Sequence, residues 1–168
     1  MKKYEITSET KVIHGVELHR IKALKSFGSV GKGELGGWIE SEKNLSQDGD
    51  AWVGENAVVF DNATVCEIAE VSGNAVVHGN AVVYENATVC GDATVRGDAD
   101  YIVFKNWWSS GRYFTWTRSN NKWKVGCFYG SGEELIAKAY KDSEKSGREY
   151  ERVVHYVESI LKEENNNK

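Results

Sequence analysis

From residue 49 to residue 96 the chain repeats itself every six letters without a slip in register. Alanine recurs at Ala51, Ala57, Ala63, Ala69, Ala75, Ala81, Ala87, Ala93 and Ala99, and valine two residues later at Val53, Val59, Val65, Val71, Val77, Val83, Val89 and Val95. A third column holds Asp50, Asn56, Asn62, Asn74, Asn80, Asn86, Asp92 and Asp98, with Ile68 as its one break. A helix needs apolar residues every three to four positions, and a hairpin sheet shows plain alternation over longer runs. A strict six fits neither. It predicts short strands that each turn a small and a β-branched residue inward, separated by corners where Asn and Asp tolerate left-handed backbone.

Composition agrees with corners of this kind, because 17 glycines stand against no proline. The net charge of -4 and the scatter of the basic residues give no electrostatic footprint for nucleic acid. The longest apolar runs fall well short of the roughly 18 residues a membrane span requires, and a cytoplasmic protein is expected. Cys66, Cys90 and Cys127 form no C-x-x-C pair and leave an odd count, as free thiols of a reducing compartment do. Cys66 and Cys90 stand four hexads apart, which places them on different faces of any three-sided coil and argues against a disulfide or a metal between them.

The hexads, and the segment Val-Gly-Glu-Asn-Ala-Val at residues 53–58 most of all, resemble the hexapeptide-repeat family. That resemblance implies a left-handed parallel β-helix in which three hexads close one triangular turn. Elsewhere Phe60, Cys66, Ser72, His78, Tyr84, Cys90 and Arg96 replace the glycine after valine, a departure that concerns the outer surface. The echo "GGWIESEKNLSQ" extends the pattern toward the N-terminus. The lead-in followed by hexads is also similar to small proteins encoded by bacteriophages and prophages.

The segments on either side read as covers for a short rod whose ends need closing. "KVIHGVELHRI" alternates on both sides of His14-Gly15, a two-residue hairpin turn. Beyond Asp100 the hexads stop and "YIVFKNWWSSGRYFTWTRSNNKWKVGCFYG" brings in a β-ribbon with a tight turn at Asn120-Asn121. With Ser119 opposite Lys122, Trp116 faces Val125 and Phe114 faces Cys127 on an apolar side. Capping boxes at Ser131/Glu134 and Ser146/Glu149 predict two helices, the second with Tyr150, Val153, Val154, Val157 and Leu161 on one face. The expected fold is mainly β: a β cap over 1–48, a short left-handed β-helix over 49–100, a small α+β domain of ribbon and two helices over 101–164, and a frayed tail at 165–168.

Three functional expectations follow from these residues. On one outer face Val58, Phe60, Val76 and His78 form an apolar row, the kind that marks a contact between chains, and the family resemblance implies a homotrimer. Trp107, Trp108, Arg112, Tyr113 and Arg118 mix aromatic faces with cations, suited to a planar anion or a protein, and Trp107 and Trp108 cannot both point inward on a strand. His78 is the one histidine inside the repeats and the weak candidate for a general base, since many hexapeptide-repeat proteins transfer acyl groups with a histidine. The leading reading is a non-enzymatic, phage-type binding protein without metal or cofactor. By analogy with other small phage proteins, its C-terminal domain binds a host protein or sequesters a small phosphorylated or nucleotide ligand in the host cytoplasm, countering host defence. A hexapeptide-repeat acyltransferase and a virion structural component are the alternatives.

Overall fold

The computed structural model describes residues 1–167. The hexads form eight two-residue strands, β4 to β11: Trp52–Val53, Val58–Val59, Thr64–Val65, Glu70–Val71, Val76–Val77, Val82–Val83, Thr88–Val89 and Thr94–Val95. β4 to β8 each pair in parallel with the strand three hexads on, so Val53 meets Val71, Val59 meets Val77 and Val65 meets Val83. The result is a three-sided β-solenoid of about three turns. Ala51 through Ala93 and Val53 through Val95 line its interior at 0–1 % exposure, and each buried valine contributes about 1.5–3 kcal/mol. Ala99 is the exception: it is exposed, in a short turn over Asp98–Asp100 that ends the coil.

The sequence echo near the N-terminus is a real rung. In β3 (Leu35–Ile39), Ile39 pairs in parallel with Val59, and Leu45 bridges Val65, two residues further apart than the later rungs. Gly36 and Gly37 sit so close to the coil that a Cβ on Gly37 would lie 2.5 Å from the Ala57 carbonyl oxygen and one on Gly36 2.5 Å from the Trp52 ring.

The corners correct one expectation. The left-handed residue is not the Asn/Asp column but the position before it: Gly49, Glu55, Asp61, Glu67, Gly73, Gly79, Glu85 and Gly91 all have φ between +52° and +69°. An L-residue in that conformation is strained, and here the side chain compensates. The Glu55 carboxylate accepts the N–H of Gly73 at 2.6 Å, Asp61 that of Gly79 at 3.1 Å and Glu67 that of Glu85 at 3.0 Å. The Asn column instead forms an amide ladder down the edge, Asn56 donating to Asn74 and Asn74 to Asp92.

Both ends of the solenoid are closed by side chains. At the start, β1 (Tyr4–Ile13) and β2 (Val16–Ala23) form the expected hairpin, with His14 and Gly15 at φ +52° and +82°, and β2 pairs with β3. The buried Lys3 ammonium donates to the Ala51 carbonyl at 2.8 Å and the Tyr4 hydroxyl to that of Leu45 at 2.7 Å. At the far end, a four-stranded antiparallel sheet of β12 (Tyr101–Lys105), β13 (Tyr113–Thr117), β14 (Lys122–Val125) and β15 (Phe128–Gly130) lies against the last coil. Thr115 and Ser119 hydroxyls accept the N–H groups of Thr88 and Thr94 at 2.9 and 2.7 Å, and the Tyr101 hydroxyl donates to the Val82 carbonyl. The other side of this sheet, with Phe114, Trp116, Trp123 and Val125, forms a second core under α1 (Gly132–Asp142) and α2 (Glu144–Asn166).

The α2 face of Val153, Val154, Val157, Tyr150 and Leu161 packs into that core, and the Ser131/Glu134 box caps α1 as expected. The second box is corrected. Ser143 alone separates the two helices and caps α2, accepting the Ser146 N–H at 3.1 Å, which leaves Ser146 inside the helix. The helix also continues through Asn166, into the segment expected as a tail, while Lys168 lies outside the described residues.

Candidate functional site

The most exposed large aromatic of the chain stands on the loop joining β12 to β13. Asn106, 1 % exposed, organises that loop: its N–H donates to the Arg112 carbonyl at 2.7 Å, its amide donates to the Ser109 and Ser110 hydroxyls, and its Oδ1 accepts the Ser109 N–H at 2.9 Å. Trp107 projects from this scaffold at 79 % exposure, edge to face with Trp108 at 6.0 Å. Trp108 turns inward against Phe114 and Tyr150, and its indole N–H, buried, has no hydrogen-bond partner among the described residues. Of the adjacent pair, one tryptophan is thus exposed and the other half-buried, although both lie in the turn after β12 and not on a strand.

Arg112 and Tyr113 belong to the same end. Arg112 is exposed, its side chain running close to Gly126, and Lys105 reaches over the Tyr113 ring at 5.6 Å. The cavity beside Arg112, between Val125, Leu135 and Tyr150, holds only about 30 Å³, the share of one water molecule. Arg118 lies at the opposite end of β13 and serves the fold. Its guanidinium donates to the Ala99 carbonyl and makes a two-pronged pair with Glu164 at 2.6 and 3.2 Å. The ring beneath it is Trp116 at 5.7 Å, whereas Trp123 is wholly core.

Of the three outer faces of the solenoid, the first carries β4, β7 and β10, the second β5, β8 and β11, and the third β6 and β9, and the apolar row on the second is not open. The tip of the β1–β2 hairpin folds over it, so Val58 and Phe60 are 2 % and 4 % exposed in a cluster with Leu18 and Trp38. The pairing of face with cover is intrachain, because the alternation that placed Ile13 and Val16 on one hairpin side gave them this row to bury. Val76 is half-buried at the margin. His78 stacks on Phe60 with centroids 5.1 Å apart and planes within 10°, and its Nδ1 lies 3.6 Å from the Asp61 carboxylate. These two residues, with Arg96 and Asp100, line an open concavity of about 520 Å³. An acidic neighbour for His78 was not visible in the sequence. It arises because Asp61 stands at the corner one coil earlier.

All three cysteines are free, and burial raises the thiol pKa of Cys66 and Cys90, which lowers the thiolate fraction. Cys66 follows β6 and Cys90 follows β10, strands of different sheets, as the hexad count predicted.

Sequence reading missed a groove on the first outer face, about 390 Å³, walled by the loop of residues 24–34. Glu34, Asp50, Glu55 and Glu70 line it together with Trp52 and Gly54. One signal was available: Gly54 is the sole glycine among the outward letters after each inner valine. Among the described residues no helix is long and apolar enough to cross a membrane, and no three His, Cys, Asp or Glu side chains are grouped to hold a metal ion. No protein-family model matches the chain, and no curated protein matches it either.

Proposed function

We propose that this is a non-enzymatic binding protein: a β-solenoid rod that presents its C-terminal sheet-and-helix unit to a protein partner through Trp107. The single observation that carries this is a tryptophan at 79 % exposure held on a loop that buried Asn106 makes rigid. An exposed indole on a pre-ordered loop is the residue type and the setting of an interface anchor. Arg112 and Tyr113 beside it supply the cation and the amphipathic ring that interfaces favour. A protein partner suits this convex end better than a small phosphorylated ligand, since the adjoining cavity of about 30 Å³ admits no nucleotide. With the resemblance to small phage proteins, the partner is a protein of the host cytoplasm and the action is blockade by occupancy. A homotrimer remains part of the proposal, moved from the second face to the third, where Val82 and Tyr84 stay 37 % and 46 % exposed. Native mass spectrometry of the protein from host cells tests the reading, with a retained protein expected and a nucleotide-sized adduct favouring the ligand reading instead.

One observation favours a second reading, acyl transfer with His78 as general base. The Asp61 carboxylate, 3.6 Å from Nδ1 and held by the Gly79 N–H, is an acidic neighbour that would move into hydrogen-bond reach to orient such a base. Coenzyme A binding together with a rate abolished in His78→Ala would establish it.

A further inference from the structure

The groove on the first face pairs negative charge with an unsatisfied donor. Trp52 is 6 % exposed, packed edge-on against Phe27 at 5.5 Å and Tyr4 at 6.4 Å, and its indole N–H has no hydrogen-bond partner among the described residues. A buried donor left unmade costs on the order of 1–3 kcal/mol. The pyrrole edge of the indole borders the groove: a Cβ built on Gly54, a groove-lining residue, would lie 3.6 Å from Cδ1 and 3.7 Å from the buried Nε1. Every other hexad carries a side chain at that letter, so Gly54 leaves a notch directly over the indole edge.

Four carboxylates line the groove, Asp50 interacting with the buried Lys3 ammonium and the other three without a cation among the lining residues. Glu34 and Glu55 each spend one oxygen on a backbone N–H, of Gly31 and Gly73, which fixes their direction. The Glu70 carboxylate, exposed on β7, forms no hydrogen bond or ion pair among the described residues. The carboxylates are strung along the groove and not gathered at a point, which suits an extended organic ion over a compact metal. A volume near 390 Å³ falls in the range of small-molecule sites.

We infer that this groove binds a small organic ammonium ion that also carries a neutral hydrogen-bond acceptor, the ammonium lying among the carboxylates and the acceptor taking the Trp52 indole N–H at the Gly54 notch. The inference is independent of the Trp107 reading, since it concerns the solenoid and not the C-terminal unit.

Isothermal titration calorimetry with L-lysinamide, which has both groups, and putrescine, which has only ammonium groups, tests it. Gly54→Ala is a clean probe, because its methyl would make ordinary contacts of 3.6 Å or more and so fills the notch without disturbing the coil. Saturable binding of lysinamide is expected, tighter than putrescine, with a shift of the Trp52 indole resonance in the ¹H–¹⁵N spectrum. Glu70→Gln should weaken both ligands several-fold, and Gly54→Ala should weaken lysinamide at least tenfold while leaving putrescine unchanged. Absence of saturable lysinamide binding at millimolar concentration, or binding equal to putrescine and unaltered in Gly54→Ala, overturns the proposal.

Discussion

The Thr115 hydroxyl accepts the backbone N–H of Thr88 across 2.9 Å, and so joins the C-terminal sheet to the open edge of the solenoid. A parallel coil ends with donors that no further coil can satisfy, and Thr115, at 2 % exposure, satisfies one without water. Thr115→Val keeps the shape and removes the acceptor. A loss of about 1–3 kcal/mol is expected in denaturant unfolding, whereas Ser119→Ala, at an exposed site with water as a substitute for the lost hydroxyl, should cost less.

Corner glycines divide sharply by their surroundings. A Cβ on Gly49, at φ +68°, would lie 2.2 Å from the Glu67 carbonyl oxygen, while Gly97, in extended backbone, meets nothing within 4 Å. Gly49→Ala should lower stability by more than about 2 kcal/mol, and Gly97→Ala by less than about 0.5 kcal/mol. Equal effects of the two in thermal unfolding would count against the described coil.

Lys3 and the buried tyrosines should pull alkaline stability in opposite directions. Burial lowers the Lys3 pKa to about 8, so between about 8 and its ordinary 10.5 the unfolded chain holds the extra proton, and stability rises with pH. Burial raises the Tyr101 phenol to about 12 and the Tyr4 phenol further, from an ordinary 10.0, so above pH 10 the unfolded chain loses protons first and stability falls. Urea midpoints across pH 7 to 11 check this: Lys3→Met should flatten the rise, and Tyr101→Phe should reduce the fall.

Arg118, despite its place in the aromatic segment, should not matter for binding. Its pair with Glu164 and its bond to the Ala99 carbonyl tie the end of α2 to the coil terminus. Arg118→Ala is expected to lower the melting temperature by a few degrees and to leave partner affinity within about twofold, which a binding titration on the folded variant reads directly.

The solenoid was legible letter by letter because its period admits one architecture, and even the irregular rung at Ile39 left its echo. The left-handed position was misplaced by one residue, since the reading used intrinsic preference alone, and here the Glu and Asp side chains compensate by bonding to the next coil. The ribbon register was wrong by two. Thr117, not Ser119, faces Lys122, because Ser119 is drawn off to the Thr94 N–H and the Arg118 N–H to the Asp100 carbonyl. A shift of two preserves faces, so Phe114 and Trp116 are core as expected, although Trp116 lies opposite Trp123 and not Val125. What periodicity could not show was which outer face the chain covers for itself. Val58 and Phe60 look like an interface until the hairpin that buries them is placed. His78 beside Asp61, and Trp52 beneath Gly54, depend likewise on stacking between coils and on a loop with no pattern of its own.

The most direct test of the Trp107 account is quantitative affinity capture from host lysate with wild-type protein and Trp107→Ala in parallel. Trp107 is exposed, so the variant should fold like the parent. The account predicts one stoichiometric protein partner held by wild type, lost at least thirtyfold in affinity on truncation, a change of about 2 kcal/mol, and retained by His78→Ala. A partner held equally by wild type and Trp107→Ala, or lost only with His78, would contradict it.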